Sequence, residues 1–295
     1  MGYFRLARPA NLPTAMADIM AGLAISGFFG FGLEAGFAGS RSLMPAAWLL
    51  LSSVALYAGG VALNDVFDAA LDKVERPERP IPSGVVSRRA AAVYGGTLLF
   101  LGVGLAFLAH PVSAYVALLL GLAILAYDAF SKKIAFLGPL NMGICRGLNL
   151  VLGISVLGDL SQWGYAVIPV VYIFAITMIS RGEVHGNNKK HILWAAFLYL
   201  LVIFSLTYVA SMYPANNLQA LLFLGIFAFL VLTPLMKAYR ENHPENIRKA
   251  VMAGVLSLIV MDAALSVVFT TWWYGFIILL LWPFSRMLSK FFAVT

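Results

Sequence analysis

The sequence predicts an all-α integral membrane protein, a bundle of nine to ten transmembrane helices. Three observations carry this expectation. Of 295 residues, 61% are hydrophobic and only 11% are charged, whereas a soluble domain carries about 25% charged residues. Ten apolar stretches approach the roughly 20 residues a bilayer-crossing helix needs. The basic residues fall almost entirely on one side of those stretches. Mean hydropathy is +0.89, so there is too little polar surface to cover a water-facing globule. That excludes a soluble enzyme and a disordered chain. The single cysteine, Cys145, excludes an intrachain disulfide framework and a cysteine-rich metal site.

The ten stretches run near 12–33, 44–63, 90–109, 112–131, 134–158, 163–180, 192–213, 216–236, 250–270 and 272–288. The first is longer than a signal-peptide core and reads as a retained anchor. The last two are separated only by Thr270-Thr271-Trp272-Trp273, so length alone allows nine spans or ten. Arg5 and Arg8 precede span one. Lys73, Arg76, Arg79, Arg88 and Arg89 lie between spans two and three. Lys132 and Lys133 follow span four, and Arg181, Lys189 and Lys190 follow span six. Lys237, Arg240, Arg248 and Lys249 follow span eight, and Arg286 and Lys290 close the chain. With ten spans, only Arg41 and the intraspan Arg146 depart from one face, among 20 Lys and Arg. This bias is the positive-inside signature. It favours ten spans and puts both ends in the cytoplasm. It also accounts for the net charge of +7 without nucleic acid as a partner. No separate soluble domain is legible; residues 1–295 read as one membrane domain, with 272–295 as an added C-terminal helix.

The acidic residues gather on the same face. Asn64, Asp68 and Asp72 recur at i, i+4 and i+8 at the end of span two, one helical stripe about 12 Å long. Asp65 reaches the same space from one side. Oxygen donors in this pattern suit Mg²⁺, a hard cation that bridges carboxylates to phosphates. Solvated charges at a helix end are the plainer alternative. The run Arg76-Pro77-Glu78-Arg79-Pro80-Ile81-Pro82-Ser83-Gly84 then stops the helix. It brings Arg76 and Arg79 near the stripe, where guanidinium forks bind phosphate oxygens or pair with Glu75 and Glu78.

Asn64-Asp65-x-x-Asp68-x-x-x-Asp72, followed by Arg79-Pro80 and Pro82-Ser83-Gly84, resembles the first aspartate-rich motif of the UbiA superfamily of intramembrane prenyltransferases. Arg8-Pro9 before span one, and Tyr127 with Lys132 and Lys133 after span four, fit the same family. The resemblance covers roughly residues 5 to 265. It implies a helical bundle with a central cavity open to the cytoplasmic side and a lateral route to lipid. It also implies Mg²⁺-dependent transfer of an isoprenyl group from a prenyl diphosphate to a hydrophobic acceptor, aromatic or lipid-like.

The family's second acidic motif has the form Asp-x-x-x-Asp. Here Glu183 matches the first acid, Gly186 the usual glycine and Asn187 the last acid. An amide oxygen can coordinate a cation but lacks the charge that attracts one. Lys189 and Lys190 add positive charge beside it. The run around His185 is similar to UbiA-like proteins encoded in bacterial Ebo clusters, which implies a bacterial inner membrane and an unassigned substrate. On this resemblance Asp68, Asp72 and Glu183 carry catalysis, and Asp65, Asp68, Asp72, Glu183 and Asn187 form the metal side. Asn64, Arg79, Lys132 and Lys189 bind the diphosphate. His185 is a candidate base toward the acceptor.

Asp18, Arg146 and Asp262 are ionisable residues deep within spans. Charges at such depth face a cavity or a partner. One expectation is a structural Arg146–Asp262 pair. The other is that Asp18, Arg146 and Asn149 line the pocket for the acceptor's polar head. The alternative to an enzyme is a non-catalytic lipid-phosphate binder or a transporter on the same fold. A transporter would carry inverted repeats, and no clear internal repeat is legible.

Overall fold

The structure is a computed structural model that describes residues 2–30, 42–183, 186 and 188–291. Every regular element among them is helical. A short α1 (Gly2–Leu6) and a 3-10 turn (Pro9–Asn11) lead into α2 (Leu12–Ile25). Then follow α3 (Met44–Phe67), α4 (Ala69–Glu75), α5 (Arg88–Ala109), α6 (Pro111–Ala129), α7 (Leu137–Ile154) and α8 (Val167–Ser180). The chain continues through α9 (Lys189–Ser211), α10 (Asn217–Arg240), α11 (Pro244–Phe269), α12 (Trp272–Leu279) and α13 (Leu281–Phe291).

Eight helices among the described residues are long and apolar enough to cross a bilayer, and the protein is a multi-pass membrane protein. The first and last expected spans differ from expectation. α2 has only 14 residues, about 21 Å at 1.5 Å per residue. It ends where Gly27 and Gly30 take positive φ of 68° and 57°, a region open to glycine at no steric cost. The last span is two helices rather than one. Pro283 lies four residues after Leu279, so its ring crowds that carbonyl and it has no N–H to give it. The pair still runs the length of α2. Tyr274 donates to the Met20 carbonyl at 2.9 Å, and Ser285 donates to the Ala10 carbonyl at 2.6 Å. The described N-terminal and C-terminal segments therefore lie at one end of the bundle. Arg41 lies outside the described residues.

Local sequence sets the helix ends. Ser87 caps α5 by accepting the Ala90 N–H at 3.2 Å. His110 caps α6 through its Nδ1, which accepts the Val112 N–H at 3.1 Å, and Pro111 occupies the first helical position, where no N–H is needed. Between spans, small residues let backbones meet, as membrane helices require where lipid is as apolar as the side chains. A Cβ on Gly22 would stand 2.5 Å from the Leu150 carbonyl of α7 and 2.6 Å from the Cα of Gly153. A Cβ on Gly59 of α3 would stand 2.8 Å from the Gly95 carbonyl of α5. α2, α3, α7 and α11 supply much of the buried centre. Phe100, Val93, Phe204 and Phe229 are exposed on the outer helices, the lipid-facing side of the bundle.

Candidate active site at the polar end of the bundle

The last turn of α3 and the short α4 hold Asn64, Asp65, Asp68 and Asp72, and the proline loop after them holds Arg79. α3 closes at Phe67 and α4 opens at Ala69, with Asp68 at the joint. The i to i+4 ladder carries through: Asp68 N–H bonds the Asn64 carbonyl and Asp72 N–H the Asp68 carbonyl, both at 2.9 Å. The expected single stripe nevertheless resolves into two clusters with different partners. Asn64 and Asp68 face Lys132, which sits on a 3-10 turn (Ser131–Lys133) after α6. Lys132 Nζ stands 2.6 Å from Asp68 Oδ1 and donates to Asn64 Oδ1 at 3.1 Å. Asp65 and Asp72 instead face Arg79. Its guanidinium lies 2.8 Å from Asp72 and 3.4 Å from Asp65.

Arg79 was expected on a diphosphate. The structure buries its side chain to 6% exposure between those carboxylates, so it orders the site rather than opening onto it. The turn holding it is internally bonded: Ser83 donates from both N–H and Oγ to the Arg79 carbonyl, at 3.0 and 2.7 Å. Arg8 completes this cluster, donating to Asp65 Oδ1 at 2.7 Å. Arg8 has φ of 43°, a left-handed conformation that costs a non-glycine residue energy and gathers at functional sites.

Below these clusters opens a cavity of about 460 Å³ between α2, α3, α6, α7, α8 and α11. Arg8, Asn64, Tyr127 and Asp128 surround its polar mouth, and Leu120, Ile124, Ile173, Val255 and Leu258 give it apolar walls. Arg146, Asn149, Thr14 and Ser53 bring polar groups to it from the bundle interior. Arg146 Nε lies 2.7 Å from Asp18 Oδ2, and its other nitrogens donate to the Thr14 hydroxyl at 3.2 Å and to the Thr14 carbonyl. Asn149 donates to Asp18 Oδ2 at 2.8 Å and accepts from Ser53 Oγ at 2.7 Å.

This corrects two expectations. Arg146 pairs with Asp18, not with Asp262, because α7 meets α2 through the Gly22–Gly153 contact. Asp262 stands beside Asp18, with the two carboxyl groups against each other. Asp18 itself is fully buried and stands behind the cavity wall. It holds Arg146 and Asn149 in place at that wall.

Glu183 is half-buried just after α8. Burial raises its carboxyl above the ordinary glutamate value, and the charges of Arg248 and Arg76 pull it back down. Arg76 follows α4, so the first and second acidic segments share a charged neighbour. Lys189 is not brought to the carboxylates. Its ammonium lies 5.6 Å from the centre of the Tyr239 ring, a cation–π contact that follows from α9 packing on α10. Asn188 ties this segment down, accepting with its side-chain oxygen from Asn242 and donating to the Ile179 carbonyl at 3.0 Å. Asn187 and His185 lie outside the described residues.

Two residues went unread in the sequence. Asp128 stands four residues before Lys132 on α6, and that i, i+4 spacing was its one signal. Arg8 was read as fitting a motif but not as a wall of the cavity, since its contact with Asp65 spans 57 positions.

The described residues thus form an all-helical membrane bundle with a carboxylate-rich mouth over an apolar cavity. Residues 23–253 match the UbiA prenyltransferase family, and the chain belongs to that family. The digeranylgeranylglyceryl phosphate synthase of Methanoregula boonei is 33% identical over 182 residues, which is 61% of this chain and 58% of that one. The enzyme of the same name from Methanothermobacter thermautotrophicus is 29% identical over 239 residues, 70% of this chain and 78% of that one. The chain thus spans under two thirds of the first relative and over three quarters of the second. Among solved structures, a UbiA homologue from Archaeoglobus fulgidus bound to GPP and Mg²⁺ superposes with TM-score 0.64 at 18% identity, over 90% of this chain and all of that one. One from Aeropyrum pernix gives 0.68 at 15% identity, over 86% and 96%.

Proposed function

We propose that this protein transfers a prenyl group from a prenyl diphosphate to a hydroxyl-bearing, lipid-like acceptor, with Mg²⁺ as cofactor. One observation carries the reading: Lys132 sits as a positive charge among the oxygens of Asn64 and Asp68, at the junction of a polar mouth and an apolar cavity. Oxygen-only donors that already hold a cation suit Mg²⁺. Asp68, Asn64 and Glu183 would hold it, with Asp65 and Asp72 kept in place by Arg8 and Arg79. When bound, Mg²⁺ supplies charge neutralisation to a departing diphosphate.

The protein's own groups do the rest. Lys132 and Arg8 bind diphosphate oxygens at the mouth. As the allylic C–O bond ionises, its electron pair goes to the diphosphate, where these fixed cations stabilise it. Leu120, Ile124 and Ile173 shield the prenyl cation from water. Arg146 and Asn149 offer their remaining N–H donors to an acceptor's polar head. The name carried by the archaeal relatives supports a glyceryl phosphate ether over an aromatic acceptor. The one-sided basic loops support a site that opens to the cytoplasm.

The test uses purified protein in nanodiscs with GPP or geranylgeranyl diphosphate, Mg²⁺, and either an alkylglyceryl phosphate bearing one free hydroxyl or a phenolic acid. Alkylated product with matching diphosphate release is the expected result. Binding of the diphosphate without release, across chain lengths and both acceptors, overturns the proposal in favour of a lipid-phosphate binder.

A further inference from the structure

The carboxylates of the first acidic segment each have a basic partner within 3 Å: Asp65 has Arg8, Asp68 has Lys132 and Asp72 has Arg79. Asp128 is different. Its side chain is 2% exposed, and it approaches Lys132 only to 3.9 Å. Its Oδ2 has no hydrogen-bond partner among the described residues. A buried carboxylate oxygen left without a donor is costly and calls for an explanation.

Its position supplies one. Asp128 lines the cavity together with Leu120 and Ile124. These three are spaced i, i+4 and i+8 on α6, one face of one helix. Lys132 follows four residues later, on the diphosphate side. A prenyl diphosphate lying in this cavity has its hydrocarbon against Leu120 and Ile124 and its charged head at Lys132. The carbon that reacts is where the two meet, and that is the level of Asp128.

We propose that Asp128 is the catalytic base of the transfer, resting on the function proposed above. Its carboxylate accepts the acceptor's hydroxyl hydrogen, the side chain turning to bring an oxygen to the cavity it lines. The carbon–oxygen bond to diphosphate ionises, its electron pair leaving with the diphosphate, and the acceptor oxygen then forms its bond to the resulting prenyl cation. The hydroxyl proton passes to Asp128. The same contact selects for an acceptor with an O–H group.

The test compares wild type with Asp128→Asn and Asp128→Ser in nanodiscs, using geranylgeranyl diphosphate, Mg²⁺ and an alkylglyceryl phosphate with one free hydroxyl. Three quantities are read: alkylated product, released diphosphate, and the Mg²⁺ concentration for half-maximal diphosphate binding. Product formation should fall about 10²–10⁴-fold, the range of a lost general base. Diphosphate binding and its Mg²⁺ midpoint should stay within about twofold. Residual diphosphate release should exceed product, because water replaces the acceptor. Asp128→Glu, which keeps a carboxylate, should recover part of the transfer. Product formation within threefold of wild type overturns the proposal. So does a raised Mg²⁺ midpoint, which would make Asp128 a metal ligand, or failure of both variants to fold, which would make it structural. An inactive wild type overturns the function itself, and this inference with it.

Discussion

Asp68 and Asp72 read alike in the sequence, yet their surroundings separate them. Asp68 is a quarter exposed and shares Lys132 with Asn64, so its substitution touches chemistry alone. Asp68→Asn should lower turnover by about 10²-fold or more with little change in thermal stability. Asp72 is buried against Arg79. Asp72→Asn should lower turnover and also cost about 1.5–3 kcal/mol, the worth of a hydrogen bond to a charged group. Parallel activity and melting measurements check both, and equal melting temperatures for the two variants would count against the split. The deep pair makes a second residue-scale prediction. Arg146→Met leaves the buried Asp18 carboxylate without its cation and should cost about 3–5 kcal/mol. Adding Asp18→Leu should recover most of that loss, read as thermal unfolding in detergent.

At the scale of elements, the helices follow from hydrophobic runs of sufficient length, with Ser87, His110 and Pro111 marking their starts. What the runs do not state is which helix meets which. That is decided by glycines placed where two backbones cross. Gly22→Leu would put a side chain into the α7 backbone, within 2.5 Å at Cβ alone. It should destabilise by about 1–3 kcal/mol or more, with lower yield and melting temperature. Gly96→Leu, at a position where a Cβ meets nothing within 4 Å, serves as the control and should be near neutral. The broken last crossing also belongs to this scale. Its apolar length was legible, whereas the break near Leu280 follows from Pro283, and its path along α2 from the two hydrogen bonds of Tyr274 and Ser285.

For the whole molecule, the contacts of Ser285 with Ala10 bring the first and last described segments to the same end as the acidic mouth. With the basic loops on that end, the positive-inside rule predicts that it faces the cytoplasm. Reporter fusions at the two ends should therefore report the same compartment, and a fusion in the 110–111 turn the opposite one. Ends in different compartments would contradict the tenth crossing.

The sequence alone was sufficient for the membrane class, the apolar spans, the first acidic segment and the family resemblance. Each of these is local: a run of apolar residues, a charge bias between runs, or a spacing of four within one helix. The partners of the charges were not legible. Arg146 chose Asp18 over Asp262, Asp65 found Arg8 from 57 positions away, and Lys189 turned to Tyr239 rather than to the carboxylates. Such pairings depend on which helix faces cross. In a bundle, crossings are set by the sum of close backbone contacts rather than by any one segment. Only the tertiary structure therefore decided which carboxylate oxygen beside the mouth, that of Asp128, was left buried with no donor.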